Sequence, residues 1–389
     1  MKLLLIYKKQ EAMKTMKSIY SFGIGLLTMF VFLACSSDSD SEPIPAPEPP
    51  PVVEEPDELE FRVLAYVDEA SVKGHLGGSD RVVKAQMDKL FRNATNFWNK
   101  GSNKLKYKYR YTLADMIVYK GSSQDATFRK KVYNDPMDFS KYDVVILFDC
   151  LQDNGETGKG GAACGGGSDH RSVVTVIAGP SKPLKVFEDN TYMTLAHELR
   201  HYRGVTDMYQ YVIAAKDNPV SHEAFDAPAC IMRWTSDGVW SDYAVNCMNL
   251  SAGAKQIGKV IPDFFNKLYP KKIEFNVTVS GQPKGGITIN LYGSRAGSSS
   301  RSRDIYPEIF VTGKTNSSGN YILNDAKKYF NPNRNEFKNV PTDLPYGRWF
   351  GFLAEIISGS LKKYVWLPEY EVQMPYFEGE DTYKVNVAL

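Results

Sequence analysis

Residues 197–207 read HELRHYRGVTD, and the spacing inside this stretch organises the rest of the chain. In an α-helix, side chains four apart stand on one face, so His197 and His201 can aim both imidazoles at a single point. Glu198 sits beside the first histidine and can reach a water held at that point. A zinc ion with one open position needs three protein donors, so the two histidines require a further ligand. Glycine tolerates the left-handed conformation that ends a helix and turns the chain sharply. Gly204 stands where such a turn is needed, and Asp207 follows where the returning chain can present its carboxylate. Glu223, within residues 221–226 (SHEAFD), is the rival for that third place.

Working back from the helix, the sequence predicts an α+β domain built on a mixed, twisted sheet. Leu59, Phe61, Val63 and Ala65 alternate with polar residues, as in a half-buried strand. Val83, Met87, Leu90, Ala94, Phe97 and Trp98 recur at helical spacing, predicting an amphipathic helix over residues 80–99. Leu105, Tyr107, Tyr109, Tyr111 and Leu113 alternate again, with Lys104, Lys106, Lys108 and Arg110 on the solvated face. The continuous run Val144, Val145, Ile146, Leu147, Phe148 suits a strand buried on both sides. Residues 160–167 are a glycine-rich loop or edge, and 173–178 a further strand. Residues 253–268 read as a closing helix, stopped by Pro270.

Downstream, residues 228–234 (PACIMRW) place Met232 in a candidate tight turn. With that turn the chain resembles the metzincin zinc peptidases, whose extended motif is His-Glu-x-x-His-x-x-Gly-x-x-His/Asp; the Asp form is similar to the snapalysin group. The resemblance implies His197, His201 and Asp207 as ligands of one catalytic zinc ion, Glu198 as general base, and Met232 as the methionine beneath the metal. It implies a metzincin-like sheet with an active-site helix, and an edge strand near residues 160–167 on which a protein or peptide substrate adds as another strand. Chemically it implies a zinc-activated water, with Glu198 taking its proton and passing it to the leaving amine. The sequence departs at Trp234, where several metzincins have a tyrosine that steadies the developing oxyanion. Tyr243 is the substitute considered, without positional support. A structural calcium ion is left open.

From residue 271 onward the pattern becomes short alternating runs, such as Phe275, Val277, Val279 and Ile287, Ile289, Leu291, separated by Gly, Ser, Asn and Pro. That predicts a small all-β sandwich over 271–389, against 58–270 for the catalytic domain. Residues 281–292 (GQPKGGITINLY) and 315–323 (TNSSGNYIL) resemble the carboxypeptidase regulatory-like, transthyretin-like domains. Such a domain suits a spacer, a stabilising partner, or an anchor for protein or glycan.

The first 34 residues read as a lipoprotein signal peptide: lysines, then an apolar run over 19–34, too short for a confident membrane span. A start at Met13 or Met16 gives it more ordinary proportions. The run ends in Phe32, Leu33, Ala34, Cys35, which resembles a bacterial lipobox and makes Cys35 the lipidated residue. Residues 35–57 are an acidic, Pro-rich tether; such composition cannot bury a core. The expected location is the cell envelope, as an outer-membrane lipoprotein exposed at the surface and held to the membrane by its N-terminal lipid. The other four cysteines favour the pairings Cys150–Cys164 and Cys230–Cys247, because each closes a short loop. A formal net charge of +2 over 389 residues gives no reason to invoke nucleic acid. The competing function is a surface adhesin or binding lipoprotein with a vestigial catalytic domain. The two readings part on geometry, because a live site needs its three ligands to converge.

Overall fold

Two alternating apolar strands and one amphipathic helix begin the fold. This computed structural model describes residues 58–69, 72–73, 79–120, 141–149, 161–166, 172–177, 191–201, 203–252, 264–296 and 303–389. The signal and tether, Cys35, Cys150, His75 and His170 lie outside the described residues. Strand β1 (Glu58–Asp68) points Phe61, Val63, Ala65 and Val67 to one side. Helix α1 (Asp80–Lys100) buries Val83, Met87, Leu90, Phe91, Ala94 and Trp98 against them. Five of these six belong to the stripe the sequence spacing predicts; Phe91 joins it and Phe97 is only partly buried. Each large aliphatic or Phe side chain among them stabilises the fold by about 1.5–3 kcal/mol relative to exposure.

Strands β2 (Lys108–Tyr119), β3 (Val144–Asp149), β4 (Gly161–Gly166) and β5 (Ser172–Ile177) complete a mixed sheet. Its order is β2-β1-β3-β5-β4. Neighbouring strands run parallel except β4, which lies antiparallel to β5 at the edge. Strand β3 is buried on both faces as its unbroken apolar run requires. Val144, Ile146 and Phe148 join the core under α1, while Val145 and Leu147 pack with Leu64 on the far side. The second strand starts later than its alternation suggested, at Lys108, and runs on to Tyr119.

Helix α2 (Thr191–His201) packs against α1 and lies along β4. Helix α3 (Asp242–Ser251) was not foreseen; the Ser241 hydroxyl caps it by accepting from the Ala244 N–H. Of the closing helix expected over 253–268, the described part is α4 (Phe264–Lys267).

The C-terminal half is a two-sheet β arrangement with its own core. One sheet runs β10 (Val311–Lys314), β8 (Thr288–Ala296), β12 (Gly351–Ser358), β13 (Leu361–Pro368), with β9 (Arg303–Ile305) added to β8. The other runs β11 (Asn320–Asn324), β6 (Lys272–Val279), β14 (Thr382–Ala388), with β7 (Gln282–Pro283) on β6. Ile273, Phe275, Ile289, Leu291, Phe352, Ala354 and Val385 fill the space between them, and α5 (Ala326–Phe330) adds Phe330. Short helices α6 (Glu369–Val372) and α7 (Met374–Phe377) follow β13.

The outer face of the first of these sheets is not left to solvent. Tyr292, Ile305 and Leu353 pack on Ile213, with Val220 and Phe225 beside it. Phe225 stacks on Trp366 at 5.0 Å between ring centroids. Strand β12 is therefore covered on both faces, so its sequence does not alternate; its one charge, Glu355, is buried and accepts from Asn290 and Tyr292. Among the described residues, no helix is long and apolar enough to cross a membrane.

Candidate metal centre

Helix α2 turns Leu195, Ala196 and Leu199 fully into the core. Three and four residues apart, these positions form the buried stripe, and His197 and His201 fall on the neighbouring, half-buried face. Arg200 locks the helix in place. Its guanidinium is sandwiched between Trp98 and Trp240, 4.0 and 3.5 Å from their ring centroids. Its side-chain nitrogens have no hydrogen-bond partner among the described residues, so these cation–π contacts are its observed stabilisation.

The helix ends as the sequence predicts. The Arg203 N–H bonds to the Arg200 carbonyl at 2.7 Å and the Gly204 N–H to that of His201 at 3.1 Å. Gly204 has φ +77°, and a Cβ there would stand 2.2 Å from the Phe264 ring, so both conformation and space demand glycine. The chain reverses and brings Asp207 back over α2. Its Oδ1 lies 3.0 Å from His197 Nε2 and 3.4 Å from His201 Nε2.

Each imidazole is also held from behind. His197 Nδ1 is 3.0 Å from the Ile231 carbonyl, and His201 Nδ1 is 2.9 Å from the Val205 carbonyl. A carbonyl only accepts, so both Nδ1 atoms carry hydrogen and donate. Each Nε2 faces the Asp207 carboxylate and donates to it when the ring is protonated; once Nε2 gives up that proton, its lone pair points at the common point. Donors about 2.0–2.1 Å from a tetrahedral centre stand about 3.3–3.4 Å apart. The two imidazole-to-carboxylate separations are close to that, so the residues present fit a zinc ion.

Glu198 faces the same point from slightly farther off. Its oxygens are 4.0 Å from His197 Nε2 and 3.9 Å from His201 Nε2. These two histidines and Glu198 form a group with metal-binding spacing. Asp207 Oδ1 stands nearer to both rings than either Glu198 oxygen does. Burial pushes the Glu198 carboxyl up to about 8, against a smaller downward pull from His197. Burial works against charge on both imidazoles, but the Asp207 carboxylate outweighs it and raises both. Burial would likewise raise the Asp207 carboxyl, yet its bonds to the two rings hold it far below the ordinary range.

Met232 is fully buried, in a tight turn closed by the Arg233 and Trp234 N–H groups on the Cys230 carbonyl at 2.8 and 3.0 Å. Its own carbonyl accepts from the Met208 N–H at 2.9 Å, tying the turn to the residue after Asp207. Trp234 is 46% exposed and stacks on Tyr209 at 6.4 Å; Tyr209 in turn stacks on the His197 ring at 6.5 Å. The Tyr209 hydroxyl donates to Asp207 Oδ2 at 2.7 Å. Sequence reasoning passed over Tyr209; its place two residues after Asp207 is the one local feature that marks it.

Several expectations are corrected. Tyr243 is not at the centre: it is buried, and its hydroxyl donates to Gln373 at 2.6 Å. Glu223 is exposed and stands outside the ligand group; His222 is likewise exposed, in a turn at φ +59°. Cys230 and Cys247 are free thiols, not a disulfide. Both sit in the apolar core as small hydrophobes, and burial pushes the Cys247 thiol up to about 12. Of the other predicted pair, Cys150 and the Cys164 side chain lie outside what is described.

No family model matches the chain. No curated protein matches it either. One solved chain, described as "Structure of a chaperone-substrate complex", is similar over 51% of this chain and 35% of its own length, at 14% identity and a TM-score of 0.34. This chain thus spans about a third of that one, and a likeness so remote bears on neither fold nor function.

Proposed function

We propose that the chain is a zinc endopeptidase of the metzincin type, acting on proteins outside the cytoplasm. One observation carries the reading: His197 Nε2, His201 Nε2 and Asp207 Oδ1 meet at ligand spacing, with both Nδ1 atoms anchored on backbone carbonyls. The antiparallel edge strand β4 beside α2, and the Met232 turn, support the metzincin assignment. The lipobox at residues 32–35 supports an envelope lipoprotein. The binding-lipoprotein alternative keeps Trp234 as its main support.

When bound, a zinc ion supplies Lewis acidity for the scissile carbonyl and for water, and a positive charge that favours ionised Glu198. His197, His201 and Asp207 would hold it. A substrate strand adding along β4 brings its carbonyl beside the common point. Glu198 takes a proton as the water oxygen attacks the carbonyl carbon. It delivers that proton to the amide nitrogen as the carbon–nitrogen bond breaks. Tyr209 orients Asp207 through its hydroxyl, which donates to Asp207 Oδ2.

The test is cleavage of a mixed protein substrate by the parent and by Glu198→Ala, each with and without a zinc chelator. Chelator-sensitive cleavage is expected in the parent, with Glu198→Ala slower by roughly 10²–10⁴-fold. Equal cleavage by the two proteins would overturn the mechanism.

A further inference from the structure

The turn that carries Asp207 is gripped from two sides. On the inner side the Met232 carbonyl takes the Met208 N–H at 2.9 Å. On the outer side Trp234 stacks on Tyr209, and further anchors come from the C-terminal half. Arg303 of β9 donates through Nη1 to the Tyr209 carbonyl, and its guanidinium lies 5.7 Å over the Tyr209 ring. Glu369, at the start of α6 and 2% exposed, accepts from the fully buried Tyr211 hydroxyl at 3.0 Å. That carboxylate is itself pinned by Arg348 Nη2 and by the Tyr269 hydroxyl. The Tyr211 ring meets Tyr370 edge-on at 5.0 Å and Phe350 at 6.4 Å. The core beneath the metal centre is completed by Ala296, Phe350 and Tyr370 of the same half.

The turn needs this help. Its 3₁₀ segment from Met208 to Tyr211 is a single turn, capped at Asp207 without a side-chain hydrogen bond. Such a segment has little stability of its own, and a ligand 1 Å out of place spoils a tetrahedral shell. Loss of an outer-shell partner commonly costs 10–100-fold in metal affinity.

We infer that the β-sandwich is a working part of the metal centre, and that Arg303 and Glu369 are positioning residues for Asp207. They clamp Tyr209 and Tyr211, the residues on which the Asp207 carboxylate is placed. The sandwich is thus neither a spacer nor a removable binding module. The zinc part of this statement rests on the function proposed above.

The experiment uses the full chain and three variants: Arg303→Met, Glu369→Gln, and Tyr364→Phe as control. The control removes a hydroxyl that bonds the Val220 carbonyl at 3.2 Å, another contact between the halves but away from the Asp207 turn. Zinc affinity is measured by chelator competition. Amide exchange of Gln210 and Val212, whose N–H groups close the turn, is measured on the metal-free proteins. Arg303→Met and Glu369→Gln should lose 10–100-fold in zinc affinity and exchange both amides faster; Tyr364→Phe should match the parent in both. Parent-like affinity and exchange in Arg303→Met would overturn the positioning role, whatever Glu369→Gln does to folding. Should the parent itself take up no zinc, the metal reading falls alone. Exchange in Arg303→Met then decides: faster supports the clamp, unchanged overturns it.

Discussion

Helix α2 and the turn after it bring the candidate ligands to one point by different means. The helix places His197 and His201 by its own period, and its buried stripe with Arg200 fixes the whole rod on α1. The turn has no such internal rule. Asp207 stands where it does because Gly204 reverses the chain, the Met232 turn catches Met208, and a distant half of the molecule holds Tyr209 and Tyr211. Local geometry is robust and readable in a sequence. Geometry assembled from distant partners is neither, and it fails by degrees.

The largest effect breaks the helical side. His201→Ala removes a donor outright, so zinc affinity should fall by more than the 10–100-fold expected for an outer partner. Thermal unfolding of the metal-free protein should change little, since the ring is only half-buried. Zinc titration and melting curves check the two halves of that statement.

Next comes the hinge between the two regions. Gly204→Ala forces a side chain into a left-handed conformation and toward the Phe264 ring. The strained backbone alone should cost roughly 1–3 kcal/mol, seen as a lower melting temperature, and zinc binding should weaken with it. An unchanged melting temperature would mean that the reversal tolerates a side chain.

On the turn itself, Tyr209→Phe keeps the stacked ring and deletes the bond to Asp207 Oδ2. About tenfold weaker zinc binding or slower cleavage is expected, at parent-like stability.

A further effect is one of pH. Burial raises the Glu198 carboxyl to about 8 from an ordinary 4.5. The folded chain therefore holds this proton where the unfolded chain has lost it, and Glu198 contributes a loss of stability as pH rises from about 4.5 to about 8. In the metal-free state Glu198→Gln should gain on the parent steadily across that window. A parent-minus-variant melting difference that stays flat would show that burial does not control this carboxyl.

The same contrast explains what the sequence could tell. The buried stripe of α1, the doubly buried β3, the helical triad and the left-handed Gly204 each follow from a local period or one conformational rule, and each is present. Tyr209 escaped because its partners, Trp234 and Arg303, reach it only through the tertiary fold. Tyr243 was misplaced for the same reason: its helix faces it toward Gln373. The Cys230–Cys247 pairing was argued from a short loop alone, and loop length says nothing about the side on which each thiol packs. Helix α3 was readable from its Ser241 cap and was overlooked.

The central claim is that His197, His201 and Asp207 together hold one zinc ion. X-ray absorption at the zinc edge of the purified protein tests it most directly. The expected spectrum has a shell of imidazole nitrogen and carboxylate oxygen donors at about 2.0–2.1 Å, and loses one oxygen-type donor in Asp207→Ala. A shell with sulfur at about 2.3 Å, or one unchanged by Asp207→Ala, would contradict it.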